Sequence, residues 1–136
     1  MATLKLSDLS VGDWVRCRGR NGRIECLRVI GDDERISVAV KSYLGTMYQF
    51  VDIEDIEPIP ITAEILESNW FVKNGEYNEW NIGNWNDIPF IGISLSRQSM
   101  RIKNIGTDIF LENKVVYVHQ LQHTLRLAGI DKEINL

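Results

Sequence analysis

Cysteine, histidine and proline are scarce in this chain of 136 residues, at two, two and three copies. Two cysteines, Cys17 and Cys26, cannot build a disulfide framework, and neither is flanked by the rest of a zinc or redox motif. No apolar run reaches the ~20 residues that a membrane-spanning helix needs. The opening Met1-Ala2-Thr3-Leu4-Lys5-Leu6 lacks the basic and long apolar parts of a secretion signal, so a cytoplasmic location is expected. Neither sign of charge dominates. The net charge is −4, with 8 basic and 10 acidic residues up to Pro60 and 7 and 9 after it. Neither half is a basic nucleic-acid domain by net charge. There is no Ser/His/Asp arrangement, no phosphate-binding glycine loop and no paired-carboxylate motif. No enzymatic activity and no cofactor are therefore expected.

What is present is enough apolar sequence for a core, 44% of the chain, with 25% charged residues of mixed sign. That balance belongs to a folded globular protein. Charge is unevenly spread along the chain. Arg16, Arg18, Arg20, Arg23 and Arg28 are offset only by Glu25, whereas Asp52, Glu54, Asp55, Glu57, Glu64 and Glu67 lie in a stretch without lysine or arginine. A polarised surface is expected, and such fields steer partners.

The first half reads as strands at about 13–18, 22–30, 35–41 and 47–52, from period-two alternation such as Ile36, Val38 and Val40. Asn21-Gly22 predicts a type I′ turn, since both central positions need positive φ. That register sets Arg20 opposite Arg23, Arg18 opposite Glu25 and Cys17 opposite Cys26. Ile24 and Leu27 have opposite parity, which predicts a bulge near Cys26–Leu27. A helical turn over Asp52–Glu57 carries Ile53 and Ile56 inward, and Pro58 and Pro60 close the lobe.

In the second half Thr62 is placed to cap a short helix ending near Asn69, with Ile65 and Leu66 inward. Strands follow at about 70–74, 77–82, 89–96, 99–104 and 108–111, with Asn74-Gly75 a hairpin signal and Asn113-Lys114 a loop. Val116–Ala128 is the strongest helix, with a Tyr117/Leu121/Leu125/Ala128 stripe and Gly129 at its C-terminal cap. The tail Ile130–Leu136 alternates weakly, as an edge strand would.

Two resemblances accompany these patterns. Val11-Gly12-Asp13-Trp14-Val15-Arg16 through Gly22-Arg23-Ile24 resembles the opening of KOW-type and other SH3-like small barrels. Ile59-Pro60-Ile61-Thr62-Ala63-Glu64-Ile65-Leu66-Glu67, and Val118–Leu127 through Ile130-Asp131-Lys132-Glu133-Ile134, look like segments of proteins from prophages and mobile elements of gut bacteria. The expected fold is α+β: an SH3-like small β-barrel over 1–60, then an antiparallel sheet with a C-terminal helix over 61–136, the two halves being either separate domains or lobes that share one core. The second resemblance implies a phage-related accessory role and transfers no active site. The expected function is non-enzymatic binding of a host or phage protein, a class that includes inhibitors of host defence. The alternatives are nucleic-acid binding and sequestration of a small nucleotide-like ligand. Oligomeric state is not readable from these patterns.

Four groups of residues are candidates for sites. The predicted hairpin face carries Trp14, Arg16, Arg18, Arg20, Arg23 and Glu25. An aromatic among arginines can stack a base while guanidinium groups hold phosphate. The bland reading is a solvated face with Trp14 packed inward. His119 and His123 are four apart on one helix, the spacing of paired metal ligands. Gln120 stands where HExxH peptidases carry the general base, and no third ligand is marked, so the polar helix face His119/Gln122/His123/Arg126 is expected instead. Cys17 and Cys26 could pair if directly opposite, but a cytoplasmic location favours reduced thiols. Trp70, Phe71, Tyr77, Trp80, Trp85 and Phe90 exceed what a small core needs. Trp80 and Trp85, around the polar loop at Gly83-Asn84, are the nominated binding anchors, with Trp70, Tyr77 and Trp80 as interior filling in the bland reading.

Overall fold

The computed structural model describes residues 4–30, 35–42, 48–75, 79–83, 90–104, 107–112, 117–130 and 132–136. Expectations for Asn113-Lys114, Tyr77 and Trp85 fall outside them. The chain divides into two compact units, Met1–Ile59 and Pro60–Leu136. The architecture is α+β, with two antiparallel sheets, one of them curled, and a helix near the C-terminus.

The first unit is a five-stranded sheet in the order β4-β3-β2-β1-β5. Its strands are β1 (Trp14–Cys17), β2 (Arg20–Ile30), β3 (Arg35–Ser42), β4 (Tyr48–Asp52) and β5 (Ile56–Glu57). A tight turn precedes β1. The Ser10 N–H donates to Asp13 Oδ2 at 2.8 Å, and the Asp13 N–H donates to the Ser10 carbonyl at 3.1 Å. Asp13 is fully buried, and these bonds fix it in the turn. Leu4, Leu9, Val15, Ile24, Val38, Val40, Val51 and Ile56 form the core, with Cys17, Leu27 and Ile53 against it.

The predicted hairpin register is incorrect. Cys17 pairs with Arg20, Arg16 with Asn21, Val15 with Gly22 and Trp14 with Arg23. The turn is Arg18-Gly19, at φ 51° and 77°, the double positive φ of a type I′ turn. Cys17 does not face Cys26, and no Arg18–Glu25 pair forms. Both registers give Val15 and Ile24 the same face, so periodicity cannot separate them. Position along the strand does. With Asn21-Gly22 as the turn, Ile24 would lie opposite Gly19 near the hairpin tip. Here the Ile24 N–H and carbonyl bond to the Asp13 carbonyl and Gly12 N–H at 2.9 and 2.8 Å. Ile24 is buried beside Val15. Burial of that side chain outweighs the better turn dipeptide.

The bulge falls one residue earlier than predicted. Ile24 faces Val40 and Cys26 faces Ala39, which leaves Glu25 as the extra residue. The inserted residue reverses parity, so Ile24 and Leu27 both address the core.

The second unit is a meander in the order β10-β9-β8-β7-β6. It comprises β6 (Val72–Asn74), β7 (Glu79–Ile82), β8 (Phe90–Ser94), β9 (Ser99–Asn104) and β10 (Thr107–Glu112). Register aligns Trp80, Ile93 and Met100 in one row and Ile82, Ile91 and Ile102 in another on the same face, all buried. The opposite face aligns Asn81, Gly92 and Arg101. There Arg101 pairs with Glu79 at 3.2 Å across the intervening β8. Two strand spacings are about 9.6 Å, so the pair must lie over the middle strand. A Cβ on Gly92 would sit 2.9 Å from Glu79 Oε2 and 3.1 Å from Asn81 Oδ1, and glycine leaves that passage open.

Helix α1 (Ala63–Ser68) begins as predicted, with Thr62 Oγ1 accepting the Ile65 N–H at 3.2 Å. Leu66 is buried but Ile65 only half so. Helix α2 (Val118–Leu127) starts two residues later than predicted, where the Tyr117 N–H donates to Gln120 Oε1 at 3.0 Å. Ile130 and residues 132–136 form no strand, contrary to expectation. Ile130 and Ile134 are nevertheless buried.

Candidate functional site

The structure disperses the predicted hairpin face. Trp14, Arg16 and Arg23 stay together, because their pairing parity survives the register change. Arg20 moves to the Val15 side, Arg18 enters the turn and Glu25 leaves the ladder at the bulge. Trp14 is 3% exposed, with the Arg23 guanidinium 5.4 Å above its ring. Arg23 is further held by its Nε donating to the Gly12 carbonyl at 3.2 Å. A ring so enclosed offers no face on which a base can stack.

The expected charge separation also disappears locally. Strand β5 pairs with β1, so Glu57 lies directly opposite Arg16 and Ile56 opposite Cys17. The acidic stretch that is distant from the arginines in sequence is their neighbour in the sheet.

Cys17 and Cys26 are free thiols, half-buried and exposed respectively. Burial raises the Cys17 pKa above its ordinary value; Arg18 pulls it down and Asp55 pushes it up, both more weakly. Thiolate is the reacting form, so Cys17 should be the slower thiol at neutral pH. Titration with a disulfide reagent should show one fast and one slow group, and Cys26→Ser should remove the fast phase. Loss of the slow phase in that variant would contradict the assignment.

The helix α2 face is a second correction. His119 and Gln122 are buried, not solvated, and Val118, Leu121, Thr124 and Leu125 are buried with them. The His119 ring stacks on Tyr117 at 6.0 Å and meets the His123 edge at 5.9 Å. Among the described residues no three His, Cys, Asp or Glu side chains gather as a metal would require. Among them, too, no helix is long and apolar enough to cross a membrane.

Of the aromatic cluster, Phe71, Trp80 and Phe90 are buried. Lys73 Nζ lies 5.9 Å from the Trp80 ring. Trp80 is therefore core and not an anchor. Among the described residues of this cluster Trp70 is the exposed one, at 46%. The interior role given to it by the bland reading is incorrect.

Trp70 is held by the way α1 ends. Asn69 is the cap residue, and the Phe71 N–H donates to the Leu66 carbonyl at 3.1 Å. That bond is the Schellman closure, which needs a left-handed residue at the position between. Helix α2 ends the same way, with the Ile130 N–H on the Leu125 carbonyl at 2.9 Å and Gly129 at φ 73°. In α1 the left-handed residue is Trp70, at φ 71°. A side chain there costs about 1–2 kcal/mol relative to glycine.

Beneath Trp70 the buried Asn69 amide is fully engaged. Its Nδ2 donates to the Ile65 and Asn135 carbonyls at 2.8 and 2.9 Å, and its Oδ1 accepts the Asn135 N–H at 2.7 Å. Lys132 Nζ lies 5.3 Å from the Trp70 ring. Val72 follows on edge strand β6 and is exposed. The signal in the sequence was the alternation around buried Phe71, which turns Trp70 and Val72 away from it. The absence of any glycine at the end of α1 was the other.

No family model, curated protein or solved structure matches the chain.

The candidate site is therefore defined by geometry alone. Trp70 and Val72 supply apolar area on a sheet edge, with Lys132 beside the indole. This arrangement can bury area against another surface. It presents no nucleophile, base or metal-ligand set among its named residues.

Proposed function

We propose that this chain is a non-enzymatic binding protein of a phage or mobile element that engages a protein partner through Trp70. The observation that carries this reading is an exposed indole held at a left-handed backbone position that glycine occupies in the other helix end. Strained, exposed side chains concentrate at functional positions. Tryptophan is also the side chain most enriched in interface hot spots. The curled first sheet serves, on this reading, as an SH3-like small barrel, and a host-defence protein is the kind of target the role implies. Enclosure of Trp14 and the Arg16–Glu57 juxtaposition favour a protein partner over nucleic acid.

Two substitutions separate binding from folding. Trp70→Ala should weaken the complex by about 2 kcal/mol, roughly thirty-fold. Trp70→Gly should weaken it equally while leaving the unfolding free energy at or above that of the parent, since glycine relieves the left-handed strain. Affinity capture from bacterial lysate with the three proteins in parallel makes the comparison. A host protein retained equally by all three would remove Trp70 from the contact, and a parent chain that retains none would overturn the reading.

A further inference from the structure

The dipeptide Asn-Gly occurs twice, at Asn21-Gly22 and Asn74-Gly75. In such a pair the glycine nitrogen can close on the asparagine side chain, because no Cβ hinders its approach. Closure needs a main chain free to swing that nitrogen onto the side-chain carbonyl. The two positions differ in that freedom.

Asn21-Gly22 lies in β2, the central strand of its sheet. Gly22 is buried, opposite Val15 in β1 and opposite Ser42 in β3. Asn21 stands opposite Arg16, whose Nε donates to Asn21 Oδ1 at 3.5 Å. Moving the Gly22 nitrogen disrupts the middle of the sheet. Asn74 is the last residue of β6, the terminal strand of the second sheet, and pairs with Glu79 on one side only. Gly75 is already beyond the strand and is exposed. A Cβ built on it meets nothing within 4 Å among the described residues.

We propose that Asn74 is a site of spontaneous deamidation and isoaspartate formation, and that the fold shields Asn21 from the same reaction. The Gly75 nitrogen bonds to Asn74 Cγ. Its proton passes through water to the side-chain nitrogen, which leaves as ammonia. The five-membered imide then takes up one water. Opening at Cγ gives aspartate, and opening at the main-chain carbonyl gives isoaspartate. The net change is amide plus water to acid plus ammonia, with no oxidant or metal.

Either product sets a carboxylate opposite Glu79, which Arg101 holds at 3.2 Å. Like charges directly opposite weaken a ladder. Isoaspartate also lengthens the main chain by one carbon, so β6 loses register. The reaction does not depend on the partner proposed above; only its effect on the Trp70 contact rests on that reading.

The full-length protein is aged in mildly alkaline buffer beside synthetic peptides of residues 18–25 and 71–78. Fragment-ion sequencing locates each new acid, and isoaspartyl methyltransferase labelling counts the isoaspartate. Asn74 should react within about ten-fold of its peptide, since opening a strand end costs little. Asn21 should fall behind its peptide by about 100-fold or more, because it reacts only when the central strand opens. Gly75→Ala should fold as the parent does, since there is room for the methyl group and no left-handed φ. It should slow the reaction at Asn74 by about ten-fold or more, as the methyl group crowds the attacking nitrogen. Equal protection of the two asparagines, or a faster reaction at Asn21, overturns the proposal. An Asn74 rate unchanged in Gly75→Ala overturns it as well, because ring closure would then not be the route.

Discussion

Leu121→Ala should lower the unfolding free energy by about 2–5 kcal/mol, the range for emptying a well-packed leucine site. Leu121 is fully buried on α2, and α2 is enclosed well beyond its apolar stripe. Val118, His119, Gln122, Thr124 and Leu125 are buried around it, so little of the surrounding structure faces solvent and collapse into the cavity is restricted. Denaturant unfolding makes the measurement. Leu127→Ala on the same helix supplies the control and should change stability by no more than about 0.5 kcal/mol. Equal effects at the two positions would mean that α2 is seated in another rotation.

Asn69→Ala should cost about 2–3 kcal/mol and release the C-terminal segment. Three hydrogen bonds end on this one buried amide, and removing it strands the Ile65 carbonyl as well as the Asn135 main chain. Asn69→Asp retains an acceptor for the Asn135 N–H but loses both donated bonds and buries a charge, so it should be no milder. Hydrogen exchange gives the local readout. The Asn135 amide should be protected in the parent and lose protection in Asn69→Ala, while strand β8 amides at Ile91 and Ile93 keep theirs. Unchanged Asn135 protection would show that the segment is held by Ile134 burial alone.

Much of the fold was legible because local chemistry and hydrophobic period agreed. Thr62 predicted the start of α1, since its hydroxyl is a good acceptor for a free helical N–H. Gly129 predicted the end of α2, since glycine enters the left-handed region without strain. The strand over 35–41 alternated with period two and became β3. Opposite parity of Ile24 and Leu27 required a bulge, because a regular ladder cannot turn both to one core.

The errors came where two local choices were equivalent. Asn21-Gly22 is the better turn dipeptide, yet Arg18-Gly19 makes the turn. Parity is identical in the two registers, and only the depth of Ile24 along the strand separates them. Depth is a property of the assembled sheet. His119 and Gln122 read as a polar helix face because their side chains carry nitrogen and oxygen; their burial depends on what surrounds the helix. Five arginines and six acidic residues looked segregated, but strand order places Glu57 beside Arg16.

The site shows the same division. The sequence by itself determined that aromatic residues are in excess in the second half, that Phe71 and Trp70 alternate, and that no catalytic motif is present. Tertiary structure alone decided that Trp70 is exposed while Trp14 and Trp80 are buried. Trp80 entered the sheet on its apolar face, where its row partners are Ile93 and Met100. Trp70 landed at the left-handed position that closes α1, over an asparagine binding a main chain 66 residues away. Periodicity carries information about faces within one element. Exposure is set by contacts between elements distant in sequence, and no local pattern encodes those.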